Sequence, residues 1–183
     1  MKSSLIVRAK RHPTVRRVVF RTLWIARLLI RPYTGLFTAY YLLRLRKCGT
    51  PVDFSTTMII RNPGNIVIGA GCSFSNHVIL DAHDRIEIGS NCMLANQVVV
   101  ATATHDYSLE QMNTRVITKP VVIGDNVWLG IGATVLPGVR IGSGTVIGAK
   151  SLVTRDIPAN SIAYGVPARV VRSRSAPAGH DPR

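Results

Sequence analysis

With 183 residues, 46% of them hydrophobic and 17% charged, the chain has the composition of one folded domain with an appendage, which excludes a wholly disordered polymer. The formal net charge of +14 is unevenly placed: Lys2, Arg8, Lys10, Arg11, Arg16, Arg17, Arg21, Arg27, Arg31, Arg44, Arg46 and Lys47 all precede the first acid, Asp53, so the remainder is nearly neutral. Three cysteines, Cys48, Cys72 and Cys92, odd in number and without a CxxC, argue against both a disulfide framework and a zinc knuckle, and predict a reducing compartment.

Residues 1–47 form the basic arm. On a helical wheel Val15, Val18, Val19, Thr22, Leu23, Ile25, Ala26, Leu29 and Ile30 share one arc, and Arg16, Arg17, Arg21 and Arg27 the other, which predicts an amphipathic helix. The longest uncharged run, residues 32–43, contains Pro32 and Gly35 and falls short of the about 20 apolar residues that cross a bilayer. Arg21, Arg27 and Arg31 interrupt any signal-peptide core, so the expected location is cytoplasmic. Trp24, Tyr33, Tyr40 and Tyr41 interleaved with arginines suit an anionic headgroup zone and predict peripheral attachment to the inner membrane face. The alternative is an arm packed on the body or on a neighbouring subunit. No recognisable motif supports nucleic-acid binding.

The body, residues 48–172, repeats every six residues. IGAGCS, FSNHVI, LDAHDR, IGSNCM and LANQVV start at Ile68, Phe74, Leu80, Ile88 and Leu94. IGDNVW, LGIGAT, VLPGVR, IGSGTV, IGAKSL and VTRDIP follow without a slip from Ile123. Two residues before each aliphatic stands another small or apolar residue: Ile66, Cys72, Val78, Ile86, Cys92, Val98, Val121, Val127, Ala133, Val139, Thr145 and Ser151. That is the period-two pattern of short strands with one buried face, three to a triangular coil, each coil burying its aliphatics against the next. Cys72 and Cys92 read as interior filling. Gly69, Gly89, Gly124, Gly142 and Gly148 read as corners, suited to tight turns or positive φ.

Two breaks interrupt the period. Leu80 to Ile88 is eight residues instead of six; Val100 to Ile123 is counted as a full coil of eighteen plus an excursion of five. The second contains ATATHDYSLEQMNTRVITKP, a loop expelled from the coil with His105 at its start, where a reactive side chain can be presented.

These motifs resemble the hexapeptide-repeat O-acetyltransferases that act on maltose, galactosides and the sugars of lipopolysaccharide, capsule and exopolysaccharide. The resemblance covers residues 58–172. It rests chiefly on THDY at 104–107, KPVVIGDNVWLGIGATVLPGVRIGSGTVIGAKSLVTRDIP at 119–158 and AYGVPARVV at 163–171. It implies a left-handed parallel β-helix, a handedness against the general preference for right-handed crossovers. It also implies acetyl-CoA as donor, no metal, a saccharide acceptor and a homotrimer with sites between subunits.

Carried over by position, His105 is the general base, a role that imidazole suits because its pKa lies near neutrality. Asn76 resembles an acceptor-binding asparagine, or caps a corner. Asp84 resembles an acidic acceptor contact, although Asp81 takes that place if the insertion shifts. Trp128 corresponds to a residue flanking the pantetheine channel. The amides of Gly130 and Ile131 are candidate oxyanion donors, Ile131 standing where some relatives have serine. Ala149, Thr154 and Arg155 fall on the pantetheine and nucleotide path, Arg155 in place of a common lysine. The GVPARVV segment closes the last coil, and residues 173–183 have the composition of a disordered tail.

Three other readings share parts of this pattern: N-acetylation of an amino sugar, a γ-type carbonic anhydrase, and a non-catalytic scaffold. The second needs three imidazoles at one subunit boundary, and the body offers only His77, His83 and His105, without the HxxxxH pair of those enzymes.

Overall fold

The computed structural model describes residues 36–174. The expected amphipathic helix over 15–30 and the tail from 175 lie outside the described residues. Two compact units are distinguished, Met1–Ala39 and Tyr40–Arg183, and the repeat lies wholly in the second. Residues 36–44 are helical; the Arg44 guanidinium stands 5.3 Å over the Tyr40 ring, a four-residue spacing that places both on one helix face. No described helix is long and apolar enough to cross a membrane.

From Lys47 onward the chain winds through three parallel faces. The first face stacks Lys47–Cys48, Ile66–Ile68, Ile86–Ile88, Val121–Ile123 and Arg140–Ile141. The second stacks Val52–Phe54, Cys72–Phe74, Met93–Leu94, Trp128–Leu129 and Val146–Ile147. The third stacks Ile59–Arg61, Ile79–Asp81, Val99–Ala101, Thr134–Val135 and Leu152–Val153. Every pairing within these stacks is parallel, because neighbours on a face are one whole coil apart. The architecture is the left-handed β-helix that the resemblance implied. It begins at Lys47, which pairs with Val67, one residue inside the stretch assigned to the arm.

The period-two expectation holds at every interior position. All twelve residues from Ile66 to Ser151 named as the first inward member of a strand are buried, as are their partners from Ile68 to Val153. Each fully buried Val, Leu or Ile contributes about 1.5–3 kcal/mol relative to exposure, so the stack itself is the core. Cys72 and Cys92 are buried free thiols within it.

The corner glycines act differently from the expectation. None of Gly69, Gly89, Gly124, Gly142 or Gly148 has positive φ. They are small because the next coil presses on them: a Cβ on Gly69 would lie 2.5 Å from the Ser90 nitrogen, and one on Gly124 would lie 2.6 Å from the Ser143 nitrogen. Positive φ falls two residues later, on Gly71, Asn91, Asn126, Gly144 and Lys150, the asparagines tolerating the left-handed region well.

Coil length changes along the stack. Ile59 lies under Ile79 and Ile79 under Val99, twenty residues each, whereas Trp128 lies under Val146 and Thr134 under Leu152, eighteen each. The two extra residues sit between the third and first faces, in the turns 62–65 and 82–85; the first of these is a 3-10 turn, Pro63–Asn65. The break seen at Leu80 therefore has a twin one coil earlier.

The larger break was miscounted. Val121 stacks directly on Ile86, so no coil strand lies between Val100 and Val121, and the excursion is seventeen residues rather than five. It is an ordered antiparallel hairpin, not an irregular loop: Ala103–His105 pairs with Val116–Thr118, with His105 opposite Val116. The segment leaves the coil because Tyr107, Leu109, Met112 and Val116 supply no inward pairs at the coil's spacing, and all four are exposed. At the other end, GVPARVV does not complete a coil. Ser161–Gly165 adds to the second face and Ala168–Ser173 folds back on it antiparallel.

Candidate functional site

The hairpin brings His105 to the corner between the third and first faces. Its imidazole is exposed, and the strand that carries it is tied down on both sides. At the root, the buried Thr102 hydroxyl donates to the Asp81 carbonyl at 3.0 Å and accepts the Asp84 N–H at 2.8 Å, while the Thr102 carbonyl accepts the Lys119 N–H at 2.9 Å. Beyond His105, the Asp106 N–H donates to the Arg115 carbonyl at 3.0 Å. The Asp106 carboxylate accepts from the Ser108 hydroxyl at 2.6 Å and the Ser108 N–H at 3.1 Å, with the Arg115 guanidinium 3.5 Å away. Those donors, the hydroxyl foremost, hold the Asp106 carboxyl below the usual carboxylate range.

Thr102 and the hairpin pairing were not foreseen. The signal was present: Thr102 continues the inward alternation Val98, Val100, and a buried polar residue in that register needs hydrogen-bond partners close by. Also missed was the cleft of about 390 Å³ beneath the hairpin, lined by Ala101, Thr104, Tyr107, Ile117, Lys119 and Thr154. Of the residues expected on the nucleotide path, Thr154 therefore lies beside the hairpin; Arg155 follows it at the same corner, exposed.

Asp84 shares this corner, but its carboxylate serves its own turn, accepting the Arg85 N–H at 2.6 Å. Asp81, at the end of its strand, has Arg61 3.7 Å and His83 3.5 Å from its two oxygens.

The remaining expected residues lie across the third face, at the corner where the second face ends. Asn76 is in the corner-capping arrangement: its carboxamide oxygen accepts from the Ser55 hydroxyl at 2.5 Å, and its N–H donates to the Asn96 side chain at 3.2 Å. Trp128 lies half-exposed on the second face, in register between Met93 and Val146. Gly130 is packed on the next coil, where a Cβ would meet the Ala149 nitrogen at 2.7 Å. Its N–H donates to the Ile147 carbonyl at 2.8 Å and so is spent on the stack. Of the two amides expected to face an oxyanion, that leaves Ile131, whose N–H forms no hydrogen bond with another described residue and whose side chain is exposed.

One chain thus gathers His105, Asp84, Thr154 and Arg155 at one corner and Asn76, Trp128, Ile131 and Ala149 at another, with a whole face between them. His77 lies at the second of these corners and His83 at the first, so the three body histidines do not converge within a chain. Among the described residues no group of three His, Cys, Asp or Glu is placed to hold a metal ion.

Residues 120–155 match the family described as bacterial transferase hexapeptide (six repeats). Galactoside O-acetyltransferase of Lactococcus lactis is 53% identical over 74 residues, 40% of this chain and 36% of that protein. The matched stretch therefore spans little more than a third of the length of such curated relatives. Among solved structures, a maltose O-acetyltransferase from Clostridium difficile 630 is 36% identical with a TM-score of 0.70, covering 74% of this chain and 73% of that one. A galactoside acetyltransferase in complex with coenzyme A is 30% identical with a TM-score of 0.71, covering 75% and 70%.

Proposed function

The chain belongs to the hexapeptide-repeat transferase family, and from that membership we propose that it is an acetyl-CoA-dependent O-acetyltransferase acting on a saccharide hydroxyl. The observation that carries the reading is the hairpin: in a stack whose other side chains serve coil packing, it holds an exposed imidazole on a braced strand. In the proposed reaction His105 accepts the proton of the acceptor hydroxyl as its oxygen attacks the acetyl carbonyl. The Ile131 N–H donates to the carbonyl oxygen as charge develops there, and the proton on His105 passes to the departing thiolate. Trp128 and Ala149 would line the pantetheine path, and Arg155 and Thr154 the nucleotide end.

These groups meet only if two copies of the chain contribute different corners, so we infer a homotrimer with sites between subunits. The outer surface of the third face supports this reading, since Ile59, Ile79, Val99, Thr134 and Leu152 line up in register along it as an unbroken stripe with little polarity. The acceptor would be a cell-surface polysaccharide or its lipid-linked or nucleotide-sugar precursor. The twelve basic residues before Asp53 support a cytoplasmic protein resting on an anionic membrane surface.

Thioester consumption with acetyl-CoA and a panel of saccharides tests the activity, and sedimentation of the same preparation tests the trimer. An acetyl product resistant to mild alkali would point to an amino-sugar acceptor instead. Absence of both turnover and a CoA-dependent rise in Tm would overturn the proposal. Salt-sensitive co-sedimentation with anionic vesicles, lost on removing residues 1–47, tests the arm.

A further inference from the structure

Cys72 and Cys92 stand where successive coils enter the second face. Ser73 pairs with Met93 and Phe74 with Leu94, so the two cysteines lie one directly above the other, both turned into the core. Neighbouring strands are about 4.7–4.9 Å apart, within the span of about 4.4–6.8 Å that a disulfide bridges between Cα atoms. The contact between the two residues is direct, since the Cys92 N–H donates to the Cys72 sulfur at 3.4 Å. The Cys92 thiol is a further donor to that sulfur and holds Cys72 down to about 7, while the same contact, with burial, pushes the Cys92 thiol up. Burial alone leaves a thiol inert; here one sulfur is readied as a thiolate and its neighbour keeps the proton.

The corner between the first and second faces supplies access. The Cys72 thiol donates to the Gly89 carbonyl at 3.0 Å and the Cys92 thiol to the Gly124 carbonyl at 3.1 Å, so both sulfurs lie against the inner side of the glycine column. The outer side of that column floors a groove of about 430 Å³, in which Gly69 and Gly89 lie among Val67, Glu87 and Ser90. With no Cβ at these corners, a single layer of backbone separates the thiols from the groove.

We propose that Cys72 and Cys92 are a peroxide-responsive redox couple that closes a disulfide between adjacent coils and reopens on reduction. The Cys72 thiolate attacks one oxygen of a hydroperoxide; the O–O bond breaks, and the departing oxygen takes up the proton that Cys72 gave. The Cys92 sulfur then attacks the Cys72 sulfenic acid, and the S–OH bond breaks to release water with the Cys92 proton. Two electrons pass from the thiols to the peroxide. In the reducing compartment proposed for the chain the pair rests as a dithiol, the setting in which disulfides are transient and redox-sensing. Closing the disulfide withdraws a donor from the Gly89 and Gly124 carbonyls, which favours its reduction again. The lock joins the coil that carries Asn76 to the coil whose Met93 lies under Trp128.

Each cysteine falls on its own tryptic peptide, 48–61, 62–85 or 86–115. The full chain is treated with hydrogen peroxide, unfolded in an alkylating agent and digested. Mass spectrometry should find 62–85 joined to 86–115, lighter than their sum by the hydrogens lost, and dithiothreitol should separate them. Cys92→Ser keeps a donor to Cys72 but cannot close the bridge, so the link should vanish and a dimedone adduct, the mark of a sulfenic acid, should appear on 62–85. Cys48→Ala should cross-link as the wild type does. Recovery of Cys72 and Cys92 as alkylated free thiols after peroxide, or a disulfide running to Cys48 instead, overturns the proposal. A link that forms no faster in the folded chain than in the urea-unfolded chain also overturns it.

Discussion

The stack and its interruptions use the same alphabet under opposite constraints. In the coils, nearly every inward side chain and corner is specified by the coil above: Gly89 is pressed by Asp125 and Gly124, and Gly130 by Ala149. In the turn 62–65 and at the far end of the hairpin, neighbours are few. Gly64 has nothing within 4 Å of where its Cβ would be, and Tyr107 is 85% exposed. Stability therefore resides in the repeat, and the freedom to place reactive groups resides where the repeat is broken.

The sharpest way to break this contrast is His105→Ala. Turnover should fall by about 10² to 10⁴ with Tm unchanged, because the side chain lies outside the stack. A comparable loss of Tm would show that the hairpin supports the coils. Gly89→Ala is the inverse case: its Cβ would stand 2.7 Å from the Asp125 nitrogen, and urea unfolding should show a loss of about 3 kcal/mol. Thr102→Val tests the seam between the two regions. Stranding the Asp84 N–H, while the Asp81 carbonyl keeps the backbone N–H of residue 102, should cost about 2 kcal/mol and lower turnover as well, since the hairpin root loosens. Gly64→Ala, in an interruption, should be neutral or stabilise by about 0.5 kcal/mol, and a destabilisation as large as that of Gly89→Ala would erase the distinction.

The smallest effect is that of acid on the hairpin alone. The folded pKa of Asp106 is held below its unfolded value, so the stabilisation from its Ser108 and Arg115 contacts is complete above the ordinary carboxylate range. It is lost as the pH falls through the depressed folded value. Amide exchange at residues 105–116 should quicken over that acid range before any exchange in the coils.

The coils were legible because each position reports the same two facts, burial and spacing, many times over. Ile123 to Val153 repeats without a slip, and all six aliphatics are interior. The breaks were located by their spacing but not measured by it. A pattern that stops at Val100 says that the chain leaves, not whether it makes another coil before Ile123; the count of five extra residues assumed that it did. The corner glycines were placed correctly, but positive φ, one of the two reasons expected for them, does not apply, since a glycine excluded by the next coil's backbone and one needed for positive φ leave the same letter. His105 was found as the polar residue opening an excursion. The Asp81 and His83 pair was not, because the contact depends on a side chain turning back over its own turn, and no spacing rule encodes that.

The reversal of direction at Ala168–Ser173 bears on assembly. A parallel solenoid ends on open strand edges, which are templates for another molecule to continue the same winding, end to end and without limit. On the second face that edge is taken by a strand running the other way, carrying Arg169 and Arg172, both exposed. A further coil arriving there would meet the wrong polarity of backbone and two like charges. The last hairpin therefore acts as a terminator of polymer growth, and its removal should turn a discrete protein into one prone to filaments.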